Sequence, residues 1–596
     1  MLTVWKVKGQ VKVNTLSCTL KMLPVMLSCI MGLEVGRSYG QDDLKRPYTT
    51  GDIDLAPTVY DKGQVAAEAR FLHRVDELRK LVEPELSGDG VTVGVWDEGL
   101  ILEHSDLKGR VSHAEKVWKK LSDHATHVGG TIAGNGLGKE AARGMASRAQ
   151  LLSYSFQSGN DLEEMEGASG VRISNHSYGR VAGWYNVIDD SDTQKKLAWV
   201  WAGEDTVGED PIFGQYTITS ARYDAFAHKR PEWTVVAAAG NSRNILLDPR
   251  RAHHLLSRSG NDWLISYDLS FDGSHVVFKP GVGLQRSSVD HPSQTQFDTI
   301  PGGIATAKNV ITVGNMADPP IENIGQPLTP DSIKAHQSSS MGPTDDGRIK
   351  PDVIANGDVL LATTLPEGCK ECVKENVQND KAYGKKTGTS MAAPVVSGIL
   401  ALLNELSKRE RNLPLRSDES KAILVHTAIS PGDKPRYDIG WGAVDAKSAG
   451  ALVIPDYGFG QCLTRISATK TEPYEIELER APLLQIRITL AWLDQAGEPR
   501  AGLNSRDTKL VDDLDMRLIS PSGVEFRPWV LDPDSPEAEA QRGDNVRDNL
   551  ERIDIKGTEA DEDGVWKLQV CLKQESKSRE VAAALCIRGF EIDGTN

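Results

Sequence analysis

Short, widely separated segments of this chain carry residues that together do nucleophilic chemistry. Val93-Gly94-Val95-Trp96-Asp97 ends an apolar run on a carboxylate. Asp123-His124-Ala125-Thr126-His127 puts two imidazoles three residues apart, followed by small residues to Gly134. Thr387-Gly388-Thr389-Ser390-Met391-Ala392-Ala393-Pro394 opens a long apolar stretch on a serine. A hydroxyl is a weak nucleophile until a neighbouring base takes its proton, and an imidazole serves as that base when a carboxylate fixes its tautomer. Val235-Val236-Ala237-Ala238-Ala239-Gly240-Asn241 adds an amide that can donate to an oxygen gaining negative charge. Each segment alone has a plainer reading. Asp97 can be a turn or helix cap, the histidines core residues, Ser390 an N-cap and Asn241 a turn asparagine. Two familiar alternatives fail on spacing. A zinc protease needs His-x-x-x-His with an intervening Glu, and a Gly-x-Ser-x-Gly elbow is broken by Ala392.

The elements that must hold these residues can be read from the apolar pattern. Short buried-looking runs at 91–96, 150–156, 171–174, 233–239, 310–313 and 352–355 alternate with helical stretches at 125–133 and 390–406. This alternation predicts an α/β layer architecture around a mostly parallel sheet, with Asp97 at a strand's carboxyl end, where sites assemble. Ser390 is expected at the N-cap of its helix, beside backbone N–H groups suited to an oxyanion. Leu72, Val75, Leu78 and Leu81 lie at helical spacing further upstream. From about residue 456 the texture changes: Leu484, Ile486, Ile488, Leu490 and Trp492 alternate with Gln485, Arg487 and Thr489, and Trp566, Leu568 and Val570 repeat the pattern. A period of two predicts an all-β sandwich or barrel over 456–596. The polar stretch 244–299 reads as an insertion.

The order Asp…His…Ser is one of several unrelated orders in which this triad occurs. With the four motifs together, the stretch from Gly88 to Ile454 resembles the subtilisin-like serine proteases. Ser338-Ser339-Ser340-Met341-Gly342-Pro343 and Gly347-Arg348-Ile349-Lys350-Pro351-Asp352 resemble a further family segment, and the tail around Leu510-Val511-Asp512-Asp513-Leu514-Asp515 resembles the β-domain of the larger members. The resemblance implies a three-layer catalytic domain over 88–455 with a C-terminal sandwich or jelly-roll-like domain. It implies Ser390 as nucleophile, His124 as base, Asp97 as its orienting carboxylate and Asn241 in the oxyanion hole. Ser177, Tyr178 and Gly179, within Ile173-Ser174-Asn175-His176-Ser177-Tyr178-Gly179, would pair with substrate as an added strand. Three departures stand out: Ala125 follows the catalytic His, Ala355-Asn356-Gly357 replaces Ala-Pro-Gly, and 41–87 is short for a folding pro-region.

Net charge and the first residues bear on setting. Lys+Arg 68 against Asp+Glu 84 gives −16, which disfavours nucleic acid and anionic membrane surfaces as partners and leaves proteins or peptides as substrates. Lysines 6, 8, 12 and 21, the apolar run Met22–Leu33 and the small residues Ser38 and Gly40 read as a signal peptide over 1–40, hence a secreted or periplasmic protein. No other segment is expected to span a membrane. Seven cysteines are too few for a disulfide framework. Cys369 and Cys372 suit a local disulfide or free thiols better than zinc. The chemistry needs no cofactor. A structural calcium ion is expected, by resemblance, near Asp512, Asp513 and Asp515 or Asp544, Asn545, Asp548 and Asn549, with Asp561, Glu562 and Asp563 a third cluster. Two other functions are compatible with this chain: a binding protein that kept the fold without activity, and adhesion or carbohydrate binding by the β-domain.

Overall fold

The computed structural model describes residues 69–591, apart from 115–119, 157–158, 190–196, 202–209, 320–325, 367–381, 456, 458–459, 482–484, 500–501, 561 and most of 244–296, together with short strands within the first 49 residues. The apolar run Met22–Leu33, Ser38 and Gly40, and Cys369 and Cys372, fall outside the described residues.

Seven parallel strands form the central sheet, in the order Val353–Asn356, Ile311–Met316, Thr234–Ala238, Val171–His176, Thr92–Asp97, Gln150–Ser155, Val111–His113. Strands buried on both faces read as continuous apolar runs, and Thr92–Asp97 and Ile311–Met316 are buried almost throughout. The register sets Asp97 opposite Ser155 and Trp96 opposite His176, so neighbouring strands end together. Their carboxyl ends deliver Asp97, Ser177 and, three residues past Ala238, Asn241 to one edge.

Two buried helices cross this edge. Asp123–Ala133 is capped by Ser122, whose hydroxyl accepts from Ala125 N at 2.9 Å. Its small residues permit close packing: a Cβ on Gly130 would lie 2.2 Å from Thr363 Oγ1, on the strand Leu360–Thr364. Thr389–Arg411 runs through the core with every side chain from Thr389 to Ser407 buried. It is long and apolar enough to cross a membrane, contrary to the expectation that no such segment follows residue 40, yet its apolar window is wholly buried in the protein. The upstream helical stretch is two short helices, Ala69–Leu72 and Val75–Arg79, broken at Arg74 with φ 57°.

The insertion has two sources. Short strands between His253 and Arg286 pair with Trp184–Asp189 and Leu197–Trp201 in one six-stranded sheet, so the segment after Gly179–Arg180 contributes as well.

The tail forms two antiparallel sheets face to face, as the period of two predicts. Gly460–Thr469, Glu580–Arg588, Gln485–Trp492 and Leu550–Lys556 make one; Glu525–Phe526, Leu514–Ile519, Val565–Leu572, Tyr474–Arg480 and Phe590–Glu591 make the other. Ile486, Ile488, Leu490, Trp492, Leu568 and Val570 meet between them. The opposite face of Gln485–Trp492 is not solvated: Arg487 donates to the His426 carbonyl at 2.8 Å, and Thr489 bonds His426 at 3.0 Å, both on the helix Ser417–Thr427. Cys462 and Cys586, opposite one another on adjacent strands, form a disulfide.

Candidate active site

Asp97 and His124 are both fully buried, and His124 Nδ1 donates to Asp97 Oδ1 at 2.7 Å. The same oxygen accepts from Glu98 N at 2.8 Å, which fixes the carboxylate. With Nδ1 committed as the donor, Nε2 is the basic nitrogen of the ring. His127, one turn on, has a different environment. Its Nε2 donates to the Leu360 carbonyl at 3.0 Å, and burial holds the ring down to about 3, so it is a neutral core histidine.

Ser390 lies two residues deeper than expected. The helix begins at Thr389 with Gly388 as N-cap, so Ser390 is its second residue and its backbone N–H is among those with no intrahelical partner. The carbonyl of Ser390 is special too. In a regular helix it would accept from the amide four residues on, but that residue is Pro394, which has no N–H. Ser177 Oγ fills the gap, donating to Ser390 O at 2.8 Å, while Ser390 Oγ donates to Ser177 O at 3.1 Å. Proline in the first turns thus ties the serine to the strand edge 177–179.

Asn241 is oriented by the same helix start. Its Oδ1 accepts from Thr389 N at 2.9 Å and from Thr389 Oγ1 at 3.0 Å, which leaves Nδ2 as the outward donor. Gly388 makes room for it, since a Cβ there would stand 3.1 Å from Nδ2. Beside these groups opens a shallow cleft walled by Tyr178, Gly179, Arg180, Ala238–Gly240 and Pro301–Ala305. The strand edge is itself already used: Tyr48–Thr49 pairs antiparallel with Gly179–Arg180, Thr49 opposite Gly179.

The clusters expected to hold calcium make contacts within the protein. Asp512 accepts from Ser578 N at 2.7 Å and from Gln495 Nε2 at 3.0 Å, and Asp513 and Asp515 both face Lys573. Asp544 pairs with Arg527, Asn545 donates to Leu550 O, Asn549 to Trp492 O, Asp548 accepts from Ile349 N, and Glu562 and Asp563 meet Ser522 and Arg480; Asp561 is not described. Among the described residues no three His, Cys, Asp or Glu side chains are grouped to hold a metal ion, while Asp513 Oδ1 and Glu551 Oε1 are buried without a hydrogen-bond partner.

The family model described as "Subtilase family" matches residues 88–460. Serine protease AprX of Bacillus subtilis (strain 168) is 26% identical over 380 residues, 61% of this chain and 67% of that protein. C5a peptidase of Streptococcus pyogenes serotype M18 is 37% identical over 136 residues, 21% of this chain but only 10% of the peptidase. The solved structure of the prenylagaramide maturation protease PagA aligns over 64% of this chain and 98% of its own, at 17% identity and a TM-score of 0.36.

Proposed function

The chain belongs to the subtilase family of serine proteases, and on that premise we propose that it hydrolyses internal peptide bonds through Ser390, His124 and Asp97 by way of an acyl-enzyme. One observation carries the assignment of roles: the buried 2.7 Å bond from His124 Nδ1 to Asp97. It commits one ring nitrogen to a carboxylate and leaves the other to take a proton.

In this mechanism Ser390 Oγ attacks the scissile carbonyl carbon as its proton passes to His124 Nε2. Asp97 stabilises the imidazolium without itself being protonated. The carbonyl oxygen becomes an oxyanion that accepts from Asn241 Nδ2 and Ser390 N. Collapse breaks the C–N bond, and His124 returns the proton to the leaving amine. Water then attacks the ester by the same route, and its proton comes back to Ser390 Oγ. The polypeptide lies along Ser177, Tyr178 and Gly179 as an added strand. The pairing of Tyr48–Thr49 with Gly179–Arg180 supports this mode, since it shows the edge accepting an extended segment. Action outside the cytoplasm is part of the proposal, supported by the Cys462–Cys586 disulfide.

A fluorophosphonate probe tests the reading. It is expected to label Ser390 in the intact protein and to leave Ser390→Ala unlabelled, with casein cleavage lost in the variant. Asn241→Ala should label but turn over about 10²–10³-fold more slowly, with KM little changed. A Ser390→Ala protein that still digests casein would overturn the proposal.

A further inference from the structure

Tyr178 sits on the strand edge proposed to bind substrate, and it is buried in an aromatic cluster at 2% exposure. It packs on Phe156 with ring centroids 4.6 Å apart, and on His176 at 5.6 Å. A buried tyrosine hydroxyl needs partners. Here it donates to Asp161 Oδ2, and His176 Nδ1 lies 2.9 Å away. Asp161 is the first residue of the helix Asp161–Gly167 and is itself 8% exposed. His176 ends the strand next to the Asp97 strand and stacks on Trp96, the residue before Asp97. The chain Asp161–Tyr178–His176 therefore spans from a surface helix to the centre of the sheet and passes through the middle residue of the substrate edge.

We propose that Asp161 is a positioning residue for substrate binding, acting through the Tyr178 hydroxyl to hold the edge 177–179 in register for the polypeptide. The inference rests on the proposed protease reading and deepens it. One hydroxyl proton cannot serve two acceptors, so the chain has a direction. With Asp161 ionised, Tyr178 donates to it and His176 must donate from Nδ1, a charge-assisted arrangement. With Asp161 protonated, the carboxyl can donate to the hydroxyl, and the hydroxyl to His176. Burial pushes the Asp161 carboxyl up to about 7, and Glu164 adds to the rise; the Tyr178 bond and Arg180 oppose it. His176, held down to about 3 by burial, stays neutral in both arrangements. Trp96 Nε1 donates to Glu164 at 2.9 Å and keeps that second carboxylate beside the chain. Raising pH through about 7 strengthens the clamp.

Steady-state kinetics with two substrates test it: a fluorogenic tetrapeptide long enough to pair along the edge, and a single-residue ester too short to do so. For the wild type, KM for the tetrapeptide should fall as pH rises from 6 to 8, while KM for the ester stays level. Asp161→Asn, which cannot ionise, should give a tetrapeptide KM that is flat with pH. Tyr178→Phe, which keeps the ring, should also give a tetrapeptide KM that is flat with pH, about three- to tenfold above the wild type at pH 8, with a smaller change in kcat. Ester KM should be unaffected in Asp161→Asn. Should Asp161→Asn fail to fold, Tyr178→Phe alone carries the comparison. Fluorophosphonate labelling of Ser390 separates the two failures: a labelled protein whose tetrapeptide KM ignores both substitutions sinks the clamp alone, and an unlabelled wild type sinks the protease reading. A fall in kcat with KM unchanged would also overturn the clamp.

Discussion

His124 and His127 share a helical turn and differ only in what meets their nitrogens. One nitrogen of His124 is held by a carboxylate, whereas His127 donates to a backbone carbonyl and is held neutral far below the working range. His124→Ala should therefore cut turnover about 10⁴-fold or more without unfolding the protein. His127→Ala should keep turnover within about tenfold and cost about 1–3 kcal/mol of stability, because the Leu360 carbonyl loses its donor. Cleavage should decline toward acid pH, where the base gains a proton and can no longer accept one from Ser390. That limb should be unchanged in His127→Ala, since a group titrating near 3 adds nothing there; a moved limb would reassign the base. Residues of this kind were legible in the sequence because each sits in a short motif at the end of an element. Asp161 was not: its partner Tyr178 lies 17 residues on, across a strand, and only the fold brings the two together.

At the scale of elements, the Ser390 helix shows how a local rule and a long-range contact combine. Pro394 denies the Ser390 carbonyl its helical donor, and Ser177, 213 residues away in sequence, supplies one. Ser177→Ala should leave that buried carbonyl unsatisfied and cost about 1–3 kcal/mol. Pro394→Ala in the same background restores an N–H at the right place. The double variant should then regain part of the loss, and a thermodynamic cycle from chemical denaturation should report coupling of about 0.5–3 kcal/mol. Strictly additive losses would mean that Ser177 and Pro394 do not share the carbonyl. Sequence periodicity found the helix and placed its N-cap two residues late, because Ser390 and Thr389 are both plausible at a first turn and only Gly388, with Asn241 crowding its Cα, fixes the boundary. Periodicity also found the strand Gln485–Trp492. It could not tell that the polar face of that strand turns to the Ser417–Thr427 helix instead of water, because a polar seam and a solvated face have the same pattern.

Across the whole molecule, the β-domain and the parallel-sheet region are joined by buried polar groups as well as apolar ones. Lys308, fully buried, pairs with Asp494 and donates to Lys509 O at 2.6 Å, and Asn309 donates to Asp494 O at 2.7 Å. Ala491, Leu550 and Cys586 of the tail belong to the same core cluster as the Ser390 helix. Neither this seam nor the Cys462–Cys586 bond, 124 residues apart, leaves a local signature in the sequence. Asp548 is the seam's most informative titrating group. Its Oδ1 accepts from Ile349 N at 2.9 Å, and burial pushes its carboxyl up to about 7; the Ile349 bond, Arg348 and Lys421 oppose the rise and Asp346 adds to it. In the unfolded chain the same carboxyl titrates near its reference value of about 3.9. Between these values the folded protein holds a proton that the unfolded chain has released. The contribution of Asp548 to stability is therefore full below about 4 and is lost as pH rises through about 7. Asp548→Asn keeps an acceptor for Ile349 N and has no charge to bury. Melted in the Ser390→Ala background, which cannot digest itself, it should match its parent near pH 4 and exceed it by about 2 °C or more at pH 8. A difference that does not grow with pH would mean that Asp548 stays ionised in the seam, held by Arg348 and Lys421, and that the contact between the two regions rests on ion pairing there.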